Sequence, residues 1–119
     1  MRFYICPVEN KQLIKGSLNV IILKLLGDRE RMYGYEITQY IKEMTKGEMA
    51  ITEGALYPAL HKLEAQGMIF SELDKFKGRT RKYYKLSEDG QKTAATQLDE
   101  LLGFLNNLNL VLNAKPSHS

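Results

Sequence analysis

The stretch from Ile51 to Ile69 constrains the fold more than any other part of the chain. Thr52 is a good helix-capping residue, because its hydroxyl can accept a hydrogen bond from an unpaired amide of the first turn. Leucines then recur at the spacing of one buried helical face, and Gly67 is typical of a helix end. These leucines are Leu56, Leu60 and Leu63. The stretch predicts a short amphipathic helix that leads directly into a strand.

The other face of this helix lacks both large aliphatic residues and the charges of a solvated surface. It carries Gly54, Tyr57, Pro58 and His61. Small and polar aromatic side chains suit close approach to a polar polymer, so we interpret this as the recognition helix of a helix-turn-helix. The alternative is an ordinary amphipathic helix with Tyr57 flat on the surface, since apolar spacing alone establishes only a helix. Pro58 removes a backbone donor and predicts an early kink or a loosely wound first turn.

The neighbouring segments supply the rest of a DNA-binding architecture. A first helix is expected over 10–26, ended by Gly27 and followed by a charged loop over 28–32. A second helix opens at Tyr33-Gly34-Tyr35 and ends at 46–48, and strands are expected over 68–73 and 81–86. Two short helices joined by a turn, with a strand directly after the second, are the order of a winged helix-turn-helix.

The segment between the two strands is the most basic in the chain, and we expect its hairpin tip to span 74–80. A basic tip beside a recognition helix suits contact with phosphates, each of which adds a salt-dependent increment to affinity. The alternative is a solvated hairpin whose lysines discourage edge pairing. The basic residues are Lys75, Lys77, Arg79, Arg81 and Lys82.

The last helix carries a heptad seam that the winged domain alone does not need. Ser87 is its expected N-cap, followed by acidic residues where the helix dipole favours them. Apolar residues alternate four and three positions apart from Ala94 onward, which is typical of a helix that packs on a partner helix. We expect a homodimer in which the first helix joins the seam. The expected dimerisation residues are Ile14, Leu18, Leu98, Leu101, Leu105, Leu108 and Leu112.

These observations predict a mainly α (α+β) fold in a chain of 119 residues with net charge +3. The expected divisions are an N-terminal arm over 1–9, a winged helix-turn-helix domain over 10–86, a dimerisation helix over 87–113 and a tail over 114–119. Cys6 is the only cysteine, so no internal disulfide can form and a reducing compartment is expected. We interpret Cys6 as a small buried hydrophobe or an idle thiol.

Composition also argues against several other classes. The supply of cysteine and histidine is too small for a soft-metal site, and the two histidines, His61 and His118, lie in no catalytic constellation. We therefore expect no enzyme, metal or cofactor. Because neither a long apolar span nor a signal peptide is evident, we expect a cytoplasmic protein without a membrane partner. A winged-helix module that binds another protein remains the alternative function.

Three motifs together resemble the PadR family of bacterial transcriptional regulators. They are G-Y-E-I from Gly34, G-A-L-Y-P-A-L-H-K-L-E-A-Q-G-M-I from Gly54, and R-K-Y-Y-K-L-S-E-D-G from Arg81. The resemblance implies a homodimeric repressor that binds an inverted repeat in double-stranded DNA, and the single C-terminal helix is similar to the compact subfamily. Some members respond to small aromatic ligands, and some hold them between two tryptophans. This chain has no tryptophan, and Phe104 is the only aromatic residue of its last helix.

By position, the resemblance implies that the recognition helix, the start of the second helix and the wing contact DNA. Tyr57, Lys77 and Arg79 are expected mostly to position the protein on phosphates, whereas Glu53 and His61 are candidates for base contacts. The expected DNA-binding residues are Tyr35, Thr52, Glu53, Gly54, Tyr57, His61, Lys75, Lys77, Arg79 and Arg81.

Overall fold

The computed structural model describes residues 11–116, and of Lys11 only the backbone. The predictions for the N-terminal arm, Cys6 and His118 lie outside the described residues. The elements are α1 (Lys11–Asp28), β1 (Met32–Tyr33), α2 (Gly34–Met44), α3 (Glu53–Ala65), β2 (Ile69–Phe76), β3 (Arg79–Leu86) and α4 (Glu88–Leu112). The three strands form one antiparallel sheet in the order β1-β3-β2. This arrangement confirms the predicted fold class.

The core lies where the first three helices meet one face of the sheet. Its largest fully buried side chains are Tyr84, Ile22, Leu23, Met32, Ile37, Leu56, Leu60 and Ile69. The leucines predicted to form the buried face of α3 are all in this core. The side chain of Leu18 is also there, only 3% exposed. Leu18 therefore packs inside the protomer, and the prediction that it faces a partner is corrected.

Local signals fix both ends of α3. The Thr52 hydroxyl accepts a hydrogen bond from the Ala55 amide at 3.2 Å, as an N-cap does. Gly67 follows the helix with φ +76°, a conformation that glycine adopts without steric cost. Pro58 lies within the helix, where it cannot donate the hydrogen bond that its position would otherwise make to the Gly54 carbonyl.

Two boundary predictions near the first helix are wrong. The helix α1 continues through Gly27 to Asp28, and the i,i+4 ion pair of Lys24 with Asp28 at 2.7 Å stabilises its last turn. The loop expected over 28–32 also contains the start of β1, which pairs with β3. A strand of two residues leaves no periodic pattern in the sequence.

The wing is longer and its tip tighter than predicted. The strands β2 and β3 pair in register from Ile69 opposite Leu86 to Phe76 opposite Arg79. Only Lys77 and Gly78 form the turn, with φ of 50° and 77°. Two consecutive residues of positive φ are typical of the two-residue hairpin turn whose twist matches the strands. The predicted tip over 74–80 is therefore mostly strand.

The helix α4 begins as predicted and then extends beyond the winged domain. The Ser87 hydroxyl caps it by accepting a hydrogen bond from the Gly90 amide at 3.0 Å, and its first part packs on α1. From Leu102 to its end, every residue of α4 is exposed in the single chain. The molecule is accordingly elongated, with principal extents of 68 × 32 × 20 Å.

Candidate nucleic-acid interface

The first turn of α3 presents polar groups to solvent beside α2. Thr52, Glu53 and Gly54 are exposed, and Tyr35 at the start of α2 is 54% exposed. A cleft of about 250 Å³ separates the two helices at this point. Residues of α2 and of the first turn of α3 both line this cleft. The two helices therefore form one polar surface.

Two residues of this surface were missed from the sequence. Gln39 and Lys42 line the same cleft as Tyr35 and Glu53. Their positions follow Tyr35 by four and seven residues, which is the spacing of one helical face. That spacing was the available signal, but the apolar face of α2 dominated the sequence pattern.

Tyr57 lies between α3 and the start of α2. Its ring packs against the first residue of α2, so that a Cβ on Gly34 would overlap the hydroxyl and lie 2.8 Å from Cζ. Burial raises the pKa of the Tyr57 phenol, and the nearby Glu53 carboxylate raises it further. The side chain thus packs between α2 and α3 and is half-buried, and its contact with a phosphate stays a prediction. His61 is exposed one turn later, its ring 6.5 Å from that of Tyr57.

We expect Gly34→Ala to weaken DNA binding and to destabilise the protein by about 1–3 kcal/mol, the usual effect of overpacking. The new methyl group would displace Tyr57 and shift α3 relative to α2. The measurement is urea unfolding together with DNA affinity. Gly16→Ala in α1 is the matched control, because nothing lies within 4 Å of a Cβ there. Unchanged stability and affinity in Gly34→Ala would mean that the Tyr57 ring moves aside at no cost.

The basic residues of the wing are divided between its two faces and its tip. Lys75 and Lys82 lie on one face of the hairpin, the same face that packs on the helices near the base of the sheet. Lys77 lies in the turn. Arg79 and Arg81 lie on the other face, which we call the outer face of the wing. Lys75, Lys77, Lys82 and Arg79 are exposed, whereas Arg81 is half-buried.

The outer face of the wing carries a network of aromatic and charged side chains. The Arg81 guanidinium carbon lies 4.3 Å from the centroid of the Tyr33 ring and 4.4 Å from that of Phe76. The Arg31 guanidinium lies 3.9 Å from the centroid of the Tyr83 ring, and the Tyr33 and Tyr83 rings meet edge to face. These contacts connect the short strand β1 to the wing.

Arg31 also binds two carboxylates of β2. It lies 2.7 Å from Asp74 and 3.4 Å from Glu72. Its hydrogen bond holds the pKa of the Asp74 carboxyl below its usual value, and the Lys75 amide acts in the same direction. The same hydrogen bond raises the pKa of Arg31. Sequence reasoning missed Arg31, because its partners lie more than 40 positions away and only the sheet order brings them together.

The expected dimerisation residues divide by their burial in the single chain. Ile14, Leu98 and Leu101 are half-buried, where α1 and α4 pack. Leu105 and Leu108 are 47% and 38% exposed, and Leu112 is 72% exposed. The distal part of the seam therefore has no covering element within residues 11–116.

Among residues 11–116, no cluster of three metal-ligating side chains occurs. Nor does any helix in the same range have the length and apolar character needed to cross a bilayer.

A helix-turn-helix with a polar second helix and a basic β-hairpin beside it defines the winged helix-turn-helix class of DNA-binding proteins. The sequence model of the transcriptional regulator PadR-like family matches residues 22–96. The chain therefore belongs to the PadR-like family of transcriptional regulators, as the motifs around Gly34, Gly54 and Arg81 predicted, and it is a DNA-binding regulator.

Individual proteins of similar sequence or structure support this assignment. The transcriptional regulator Rv3488 of Mycobacterium tuberculosis is 31% identical over 81 residues, which cover 68% of this chain and 72% of that protein. A transcriptional regulator from Clostridium thermocellum has a similar structure, with a TM-score of 0.74 and 31% identity over 87% of this chain and 99% of that one. A PadR family regulator from Eggerthella lenta has a TM-score of 0.75 and 25% identity, over 91% and 92% of the two chains.

Proposed function

We propose that this protein is a homodimeric repressor that binds an inverted-repeat operator in a promoter. The observation that carries the proposal is that one chain combines a single DNA-binding surface with an uncovered apolar seam. A two-fold dimer built on that seam presents two copies of α3 and two wings. Such a dimer reads two half-sites of opposite orientation, spaced by a whole number of helical turns of DNA.

The roles proposed for individual residues follow their positions. Thr52, Gly54 and Tyr35 lie at the exposed junction of α2 and α3 and suit phosphate contacts, and Gln39 and Lys42 join them. Glu53 and His61 project from α3 and are the candidates for base contacts. Lys75, Lys77, Arg79 and Arg81 supply wing contacts to flanking phosphates.

Repression is the mode of action that this architecture favours. The described chain consists of a DNA-binding domain and one projecting helix, and a dimer bound over a promoter blocks polymerase by occupying its site. The DNA upstream of the gene itself is the first candidate operator to test.

A small aromatic effector would have to bind between protomers. The cleft at the start of α1, lined by Leu13, Ile14 and Met49, is about 220 Å³, which is below the usual size of a ligand pocket. The exposed Phe104 of α4 lies on the part of the helix that a partner would cover. A ligand bound between the protomers would release the repressor from its operator.

The decisive experiment measures binding of the purified protein to its upstream duplex over a salt series, with a scrambled duplex of equal length beside it. Tight, salt-dependent binding with a preference for the upstream duplex supports the repressor, and planar aromatic compounds can then be tested for release. Equal weak binding to both duplexes would place the operator elsewhere. An absence of binding at low salt would overturn the proposal in favour of a protein-interaction module.

We expect Lys77→Ala with Arg79→Ala to weaken binding to both duplexes. The slope of log affinity against log salt should flatten by roughly one unit per lost phosphate contact. The matched control is Lys15→Ala with Lys24→Ala, which removes two exposed positive charges from α1. If both double variants change the slope equally, only the overall charge matters and the wing tip makes no contact.

A further inference from the structure

An expected ion pair is absent from the outer face of the wing. Arg81 lies directly opposite Asp74 in the register of β2 and β3, and oppositely charged residues in that position ordinarily attract each other. Both oxygens of Asp74 are instead bound by other donors. Arg31 donates to Oδ2 at 2.7 Å, and the Lys75 amide donates to Oδ1 at 2.8 Å.

Arg81 consequently has no carboxylate partner among residues 11–116. Its guanidinium is held by the rings of Tyr33 and Phe76, 4.3 and 4.4 Å from their centroids. Stacking on aromatic rings uses the face of a guanidinium and leaves the N–H donors at its edge for an anion. These donors have the geometry that recognises two oxygens of a phosphate. Arg81 is thus an oriented cation on a hairpin that flanks the recognition helix.

We infer that Arg31 is a positioning residue for DNA binding, which keeps Arg81 available for a backbone phosphate by binding Asp74. The inference rests on the proposed wing contacts and adds a residue that need not touch DNA. Without Arg31, Asp74 loses its cation and pairs with Arg81 across the strands. Glu72, the other carboxylate bound by Arg31, keeps a second cation, because Lys85 lies 3.9 Å from it.

The test is a set of substitutions at these three charges, measured by affinity and salt slope on one duplex. For each half-site, we expect Arg31→Ala to weaken binding about ten-fold, the equivalent of one hydrogen bond to a charged group, and to flatten the slope by about one unit. Arg81→Ala should have the same effect. The double variant Arg31→Ala/Arg81→Ala should bind no more weakly than Arg81→Ala alone, because both changes remove one contact.

Asp74→Asn distinguishes positioning from the other possible roles of Arg31. The amide keeps an acceptor for the Lys75 N–H but cannot capture Arg81 as an ion pair. Added to Arg31→Ala, it should restore both the affinity and the slope, and its effect in that background should exceed its effect in the wild type. Lys24→Ala is the matched control, since it removes one positive charge and one surface ion pair from α1 and should change neither quantity.

Three results would overturn the inference in different ways. If Arg31→Ala/Asp74→Asn binds as weakly as Arg31→Ala, then Arg31 either contacts DNA itself or holds the shape of the wing. If Arg81→Ala binds like the wild type, the proposed Arg81 contact fails, and the role of Arg31 fails with it. A loss in Arg81→Ala without a loss in Arg31→Ala would overturn the positioning role while leaving the proposed wing contact intact.

Discussion

Replacing Gly90 with alanine should destabilise the protein by about 3 kcal/mol, at the upper end of the usual effect of overpacking. Gly90 lies in the first turn of α4, against the chain that enters β2. A Cβ at this position would overlap the carbonyl oxygen of Met68 and lie 2.9 Å from its carbonyl carbon. That oxygen already accepts a hydrogen bond from the Ser87 amide at 3.0 Å. Because the obstacle is backbone, α4 must shift as a whole or its cap must open.

The measurement is the free energy of unfolding, obtained by urea titration of the wild type, of Gly90→Ala and of a control variant. Gly103→Ala is the matched control, because Gly103 lies in the same helix with nothing within 4 Å of a Cβ. Alanine there should stabilise the protein by about 0.5–1 kcal/mol through its better helix propensity. Equal stability changes of the same sign at both positions would show that α4 does not pack against Met68 as closely as described.

The double substitution Leu105→Asp with Leu108→Asp should convert the proposed dimer into monomers. Both residues belong to the distal seam, which the single chain leaves uncovered. Four carboxylates per dimer would lose water without gaining a partner, at a cost of at least about 1 kcal/mol each even in the neutral form, which weakens association by at least about 10³-fold. Sedimentation equilibrium measures the change directly. The monomer should also bind a whole operator far more weakly than the dimer.

Leu101 belongs to the same seam but is unsuitable for this test. Leu101 is half-buried within the protomer, so aspartate there would affect the fold as well as association. Leu110→Asp is the control on the same helix. It is 64% exposed and lies about 200° around the helix from Leu108, so it should leave the dimer intact. If Leu110→Asp dissociates the dimer and the seam variant does not, the interface lies on the opposite face of α4.

Features controlled by neighbouring residues were predictable from the sequence. The cap of α3 at Thr52, its stop at Gly67 and the cap of α4 at Ser87 each depend on a side chain and the amides or dihedrals within a few residues. The buried leucines of α3 follow from helical periodicity in the same way. The motifs around Gly34, Gly54 and Arg81 were specific enough to identify the family.

Features controlled by long-range contacts were not predictable. The strand β1 is two residues long and exists because β3 offers it a partner. The hairpin turn was placed too broadly, because a run of lysines and arginines does not reveal where strand pairing stops. Leu18 has the same spacing as the other apolar residues of α1, and only the packed structure shows that it lies inside the protomer.

The sequence by itself determined the types of the four helices and of the two long strands, both ends of α3, the start of α4 and the family, since each of these is encoded in short spacings, caps and motifs. Only the tertiary structure decided which side chains are buried or paired and which can bind a partner. In the folded chain Tyr57 packs against Gly34, Asp74 pairs with Arg31, and Arg81 lies between the rings of Tyr33 and Phe76. The physical reason is that burial and ion pairing depend on distances between residues that are far apart in the chain, and those distances are set by the packing of the sheet on the helices.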